Sequence, residues 1–142
     1  MKKIYNFFAI LIISVIFSSV GCSNSGSENI IGKWVISDYK TDKKMNDKER
    51  VFFEGVIEDY KANYYLEFNV DKSFLEHSGD KDSPFDQKGT WELLASDEVL
   101  RQTYEGGRTV QSQIQSLSNS EFLIVQKDEN SGSTIVLTLK KQ

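Results

Sequence analysis

Tyr64-Tyr65-Leu66-Glu67-Phe68-Asn69-Val70-Asp71-Lys72-Ser73-Phe74-Leu75-Glu76-His77-Ser78 reads as two strands and the turn between them. Tyr64, Leu66 and Phe68 share one face at the two-residue period of a strand, and Asp71-Lys72 supplies turn chemistry. The stretch predicts a hairpin of strands over 64–70 and 73–78. The same grammar recurs downstream, predicting strands over 89–94, 99–104, 109–117, 121–127 and 134–140. Ser96-Asp97, Gly106-Gly107, Ser118-Asn119 and Asn130-Ser131-Gly132 stand between them as plausible hairpin connections. Upstream, residues 30–39 read as a first strand with Gly32, Trp34 and Ile36 on one face.

Eight strands in succession predict a mostly all-β fold, an eight-stranded antiparallel up-and-down β-barrel. A sheet of this kind removes its exposed edges by closing, and at eight strands the interior is either filled by side chains or holds one small ligand. An open sandwich is the alternative, but single-step hairpins throughout suit a barrel better than Greek-key crossings. One segment breaks the β pattern. Between Asn46 and Ala62, Val51, Phe52, Phe53, Val56, Ile57 and Tyr60 recur at spacings of three and four, predicting a short amphipathic helix after strand 1. Asn46 followed three residues later by Glu49 is a capping-box signature for its start.

Residues 1–21 have the anatomy of a secretory signal: Met-Lys-Lys, an apolar run from Ile4 to Phe17 broken only by Asn6 and Ser14, then small residues before Cys22. The run is shorter than the roughly 20 apolar residues of a membrane-spanning helix. Cys22 is the only cysteine, so no intramolecular disulfide can form. In an exported protein a lone cysteine is either modified or an exposed reactive thiol; residues 22–29 are predicted to be this cysteine and a flexible tether, because 23–29 are polar and rich in Ser and Gly. The folded domain is expected over 30–142.

The whole chain of 142 residues carries a net charge of −4, and removing Lys2 and Lys3 leaves 15 basic against 21 acidic side chains, or −6. That balance disfavours nucleic acid, whose affinity comes largely from basic side chains on phosphates. An aromatic content of 12% provides for a packed core.

Ser19-Val20-Gly21-Cys22 resembles a bacterial lipobox, with Ser19 where leucine is commonest. This resemblance implies diacylglycerol on the Cys22 thiol and a membrane partner held through that lipid. Ser23 after the cysteine resembles the sorting pattern for the outer membrane of a Gram-negative bacterium, so the expected location is the cell envelope, periplasmic or surface-facing. Gly32-Lys33-Trp34 resembles the Gly-X-Trp opening of lipocalins and of the lipocalin-like domains of bacterial lipoproteins, a small-barrel family mostly of unassigned function. The 68–74 hairpin, Gly89-Thr90-Trp91-Glu92-Leu93 and the closing 136–140 strand are similar to the order of landmarks in those domains. The resemblance spans about residues 30 to 140 and implies a barrel that can enclose a binding cavity, with a helix over its mouth.

Each candidate site has a competing structural role. Trp34 and Trp91 are candidates to stack on a ligand or to fill the barrel floor. Phe52 and Phe53 either gate a cavity entrance or bury an apolar helix face. Tyr64, Leu66 and Phe68 would line the interior, and Arg101, facing inward, would pair with a ligand carboxylate; facing outward it would be solvated. Gln111, Gln113 and Gln115 share a face and either meet water or line a wet cavity. His77 is the sole histidine, and the 80–86 loop places Pro84 and Phe85 where a calcium loop needs other residues. No metal and no cofactor are therefore expected. No nucleophile elbow or second histidine appears, so the protein is not expected to be an enzyme; a hydrolase built on distant carboxylates is a remote third reading. The leading expectation is a membrane-anchored lipocalin-like lipoprotein binding a small apolar or amphiphilic ligand in its barrel. The alternative is a structural or partner-binding lipoprotein with a filled barrel and a protein partner in the envelope.

Overall fold

The computed structural model describes residues 25–79, 82, 84–128 and 130–142; Cys22 and the proposed leader lie outside them. In chain order the elements are α1 (Ser25–Ile30), β1 (Gly32–Thr41), α2 (Asp47–Asn63), β2 (Tyr65–Phe68), β3 (Ser73–His77), β4 (Asp86–Leu94), β5 (Val99–Tyr104), β6 (Thr109–Leu117), β7 (Glu121–Lys127) and β8 (Thr134–Lys141). Each strand pairs antiparallel with the next, and β8 pairs back onto β1, so the predicted up-and-down barrel is closed. Strands β5, β6 and β7 have the predicted bounds, whereas β4 begins earlier, at Asp86, inside the stretch read as a loop.

Antiparallel order sorts the connections to two ends. The floor end carries α1, the β2–β3, β4–β5 and β6–β7 turns and the chain terminus; the mouth end carries α2 and the remaining turns. Because strand side chains alternate faces, register decides what the barrel holds. Trp34, Leu66, Phe68, Phe74, Trp91, Leu100, Phe122, Ile124 and Leu139 face inward and are buried, which fills the floor half. Phe68 lies at the centre, 5.7 Å from Trp91 and 6.5 Å from Phe122 in edge-on ring contacts. A register shift between Ile36 and Asp38 lets β1 skip Ser37, so Tyr39, not Asp38, returns to the inner face opposite Leu137.

The predicted tether needs correction where it is described. Ser25–Ile30 forms a short helix, and Ile30, read as the start of a strand, ends it fully buried under the floor. Helix ends leave carbonyls without intrahelical partners. Here Trp34 Nε1 donates to the Ile30 carbonyl at 2.7 Å and Lys141 Nζ to that of Asn29 at 2.9 Å. Side chains from the first and last strands thus fasten α1 across the seam that closes the barrel.

Helix α2 starts as its sequence indicates: Asn46 Oδ1 accepts from the Glu49 amide at 3.0 Å, and Glu49 Oε2 accepts from the Asn46 amide at 2.8 Å. None of its residues is buried. It touches the barrel through Phe53, whose ring lies 5.3 Å from that of Tyr39, and through Tyr60, stacked on Tyr64 at 5.9 Å. With so little burial, the cap matters to the helix. Asn46→Ala is expected to destabilise α2 by about 1 kcal/mol, seen as faster hydrogen exchange at Glu49 and Arg50 while the strand amides stay protected.

Candidate ligand site in the upper barrel

Above the apolar floor the inward-facing residues become polar. On β3 the alternation that buries Phe74 also turns Glu76 inward, opposite Leu66 on β2 and Gln87 on β4. Both Glu76 oxygens accept phenol hydrogen bonds: Tyr64 Oη donates to Oε1 at 3.0 Å and Tyr104 Oη to Oε2 at 2.5 Å. Tyr64 caps α2 and Tyr104 ends β5, so one carboxylate joins helix, β3 and β5 across the mouth.

The polar row continues around the wall. Gln102 shares the inner face of β5 with Leu100 and Tyr104 and is 2% exposed. Among the described residues its Nε2 has no hydrogen-bond partner. A buried donor left unsatisfied costs about 1–3 kcal/mol. Ser112 on β6, also buried, accepts at 2.7 Å from Gln126 Nε2 on β7. That bond spans a break in the wall: the β6–β7 ladder reaches only to Gln113 opposite Val125, above which β6 pairs with β5 and β7 with β8. A cleft of about 340 Å³ opens there, lined by Gln111, Ser112, Gln113, Val125, Gln126 and Lys127 among others.

Two clefts flank the mouth. One of about 320 Å³ runs from Gln87 past Tyr104 to Arg108. The Arg108 guanidinium lies 4.0 Å over the Tyr104 ring and donates to Gln87 Oε1 at 2.8 Å. The other, about 300 Å³, lies between Val56, Asp59 and Tyr60 of α2 and Gly79. Gly79 is packed so closely on the helix that a Cβ there would stand 2.8 Å from the Tyr60 Cα.

Burial raises the Tyr64 hydroxyl well above its ordinary pKa, with the Glu76 charge adding to it, and the same two causes in the same order raise Tyr104. Burial and the Asp128 charge raise Tyr39. A group whose folded value is raised stabilises fully below its unfolded value, about 10 for tyrosine, and loses that contribution as pH climbs through the folded value. Lys141, lowered by burial, works in the opposite direction. The tyrosines should dominate, so unfolding free energy is expected to fall from about pH 10 upward. Absorbance at 295 nm should show that the chain's six tyrosines do not ionise together; a single common midpoint would contradict the buried cluster.

The sequence-derived candidates separate by position. Trp34, Leu66, Phe68 and Trp91 sit in the packed floor, with Trp91 Nε1 donating to the Asn69 carbonyl at 3.2 Å. Tyr64 belongs to the polar cluster. Phe53 lies half-buried on Tyr39, but Phe52 is 75% exposed and points away from the mouth contacts. Arg101 is not in the interior: it lies on the outer face of β5, paired with Glu92 of β4 through Nε at 2.6 Å. Gln111 and Gln113 are exposed. His77 stacks on Tyr65 at 4.9 Å and meets Asp86 at 2.7 Å. Glu76, Gln102, Tyr104, Ser112 and Gln126 were not among the candidates, although Glu76 shares a face with Phe74 and Gln102 shares one with Leu100.

Comparison with known proteins agrees with this architecture. A family model described as a lipocalin-like domain matches residues 30–124. No curated protein matches the chain. Among solved structures, a lipocalin-like protein from Bacteroides uniformis is similar at 14% identity and a TM-score of 0.51, covering 80% of this chain and 99% of its own. A DUF4847 family protein from Bacteroides vulgatus is similar at 14% identity and a TM-score of 0.50, covering 80% of this chain and 95% of its own. A redesigned β-barrel reaches 16% identity and a TM-score of 0.54, over 83% of this chain and 96% of its own. At such identities these structures support the fold alone. With the family match covering most of the closed barrel, the chain belongs to the lipocalin-like domain family.

Proposed function

We propose that this protein is a non-enzymatic envelope lipoprotein, anchored by diacylglycerol on Cys22 after removal of residues 1–21, which holds one small apolar or amphiphilic molecule in the mouth half of its barrel. The observation that carries the binding role is the division of the interior: a packed apolar floor below, and above it an inward polar row that includes a buried amide donor with no partner among the described residues. Small-molecule sites combine apolar walls with a few placed polar groups. Here Tyr39, Phe53, Val56 and Tyr60 supply the former around the mouth.

The anchor reading rests on the lipobox-like Ser19-Val20-Gly21-Cys22 and the outer-membrane location on Ser23. Only Ser23 and Asn24 separate Cys22 from α1. At about 3.5 Å per extended residue the floor end would sit within roughly 10 Å of the acylated cysteine, with the mouth facing away from the bilayer. Exposed Val51 and Phe52, at 68% and 75%, favour a second reading in which α2 also meets a protein partner.

Native mass spectrometry of the protein extracted from bacterial envelopes tests the proposal. The expected spectrum shows a diacylglyceryl increment on Cys22 and a stoichiometric adduct that disappears on organic denaturation. A bare mass in repeated preparations would end the binding role, and an unmodified Cys22 would end the anchor.

A further inference from the structure

Helix α2 presents two faces. Phe53, Val56, Ile57 and Tyr60 turn toward the barrel and are half-buried. Lys48, Phe52, Gly55 and Asp59 share a second face, at spacings of four, three and four, and all four are exposed. Phe52 is 75% exposed, with Val51 beside it at 68%. Contiguous apolar surface in water with a polar rim marks a contact site. Gly55 sits mid-helix, where glycine is a poorer helix former than alanine. Nothing among the described residues lies within 4 Å of a would-be Cβ there, so the fold of one copy gives this glycine no role.

The two ends of that face carry opposite charge. Lys48 stands one turn before Phe52 and Asp59 one turn after Gly55, and neither belongs to an ion pair among the described residues. Set antiparallel against a copy of itself, the row is self-complementary. Lysine meets aspartate and phenylalanine meets glycine, each twice, as an isologous two-fold interface requires. A parallel arrangement would instead put lysine on lysine and aspartate on aspartate. Asp59 also edges the cleft of about 300 Å³ beside Val56, Tyr60 and Gly79, which has room for the apolar stem of a second Lys48.

Resting on the reading in which α2 meets a protein partner, we infer that this partner is a second copy of the chain, docked α2 against α2 about a two-fold axis. Phe52 of each protomer seats on Gly55 of the other, and Lys48 of each pairs with Asp59 of the other. The missing side chain at Gly55 is what lets the opposing ring approach the helix backbone. A single helix pair buries less than the roughly 1,200 Å² at which standard interfaces begin, so the dimer is weak and depends on concentration.

Sedimentation velocity of the protein purified from envelopes, in density-matched detergent at large micellar excess, tests the pairing. The protein mass should rise from one copy to two as concentration increases from roughly 10 to 500 μM, the range of a weak interface. Lys48→Glu or Asp59→Lys alone should weaken the dimer about tenfold, since each replaces two attractions by two repulsions, and the two changes in one chain should restore it. Gly55→Leu should weaken it by at least about tenfold while leaving the helix intact, because leucine is a better helix former and fills the seat of the ring. A one-copy mass throughout the range overturns the pairing without reliance on any variant, and so does dimerisation that ignores all three substitutions. A photoreactive p-benzoylphenylalanine at position 52, irradiated in the envelope, separates the wider reading from this one. A link to α2 of a second copy supports self-pairing; a link to a different protein overturns it but leaves α2 a partner surface; no link at all removes both.

Discussion

Gly89→Ala is expected to destabilise the protein by at least about 3 kcal/mol, the upper end of overpacking costs. Gly89 lies on the inner face of β4 opposite Tyr104 and beside Phe74. A Cβ there would stand 2.1 Å from the Thr103 carbonyl oxygen, 2.8 Å from its carbon and 2.7 Å from Phe74 Cε1. Two of those atoms are backbone of the adjoining strand, so a side-chain rotation cannot relieve the contact and the β4–β5 ladder must move. Against a total stability of about 5–15 kcal/mol, a loss of that size leaves little margin. Urea unfolding followed by circular dichroism should show a much lower midpoint. Gly55→Ala is the matched control: Gly55 lies in α2 with nothing within 4 Å of its would-be Cβ, and removing a helix glycine should stabilise by up to about 1 kcal/mol. Near-equal midpoints for the two variants would contradict the close packing at Gly89.

Trp34→Ala should be of similar severity, about 3–5 kcal/mol for truncating a large buried aromatic. Trp34 is fully buried, meets Phe122 edge-on at 5.5 Å and holds the end of α1 through its indole N–H. Trp34→Phe separates the two roles. It keeps most of the ring contact but leaves the buried Ile30 carbonyl without that donor, a loss of about 1–3 kcal/mol. The smaller variant should also speed proteolysis near Ser25–Ile30 at unchanged strand protection. If Trp34→Phe is cut no faster than wild type, the Trp34 hydrogen bond is not what holds α1.

Most of the barrel was legible because its turns carry explicit chemistry. Asp71-Lys72, Gly106-Gly107 and Ser118-Asn119 bound strands whose limits the structure reproduces within a few residues, and Asn46 with Glu49 marked the start of α2. The floor was legible as well, since Trp34, Leu66, Phe68 and Trp91 are large apolar residues at inward parity.

The upper site was harder to read for a physical reason. Glu76, Gln102 and Gln126 are polar residues in strands, and a polar strand residue ordinarily faces water; only closure of the barrel, with Phe74, Leu100 and Ile124 two positions away, turns them inward. Strict alternation also fails where β1 skips Ser37 and where β6 shifts between Ile114 and Ser116. Arg101, bracketed by inward Leu100 and Gln102, had to face out once that parity was known. Helix α1 had no usable signal in Ser, Gly and Asn; its last carbonyls are satisfied by Trp34, four residues on, and by Lys141 from the far end of the chain.

The central claim, binding above a solid floor, is tested most directly by adding an organic extract of the host envelope to ¹⁵N-labelled full-length protein and following the amide and indole resonances. The account predicts saturable shifts at Gln102, Tyr104, Ser112 and the Tyr60 turn of α2, with the Trp34 and Trp91 indole signals unmoved. Shifts confined to the two indoles, or no saturable shift at all, would contradict it.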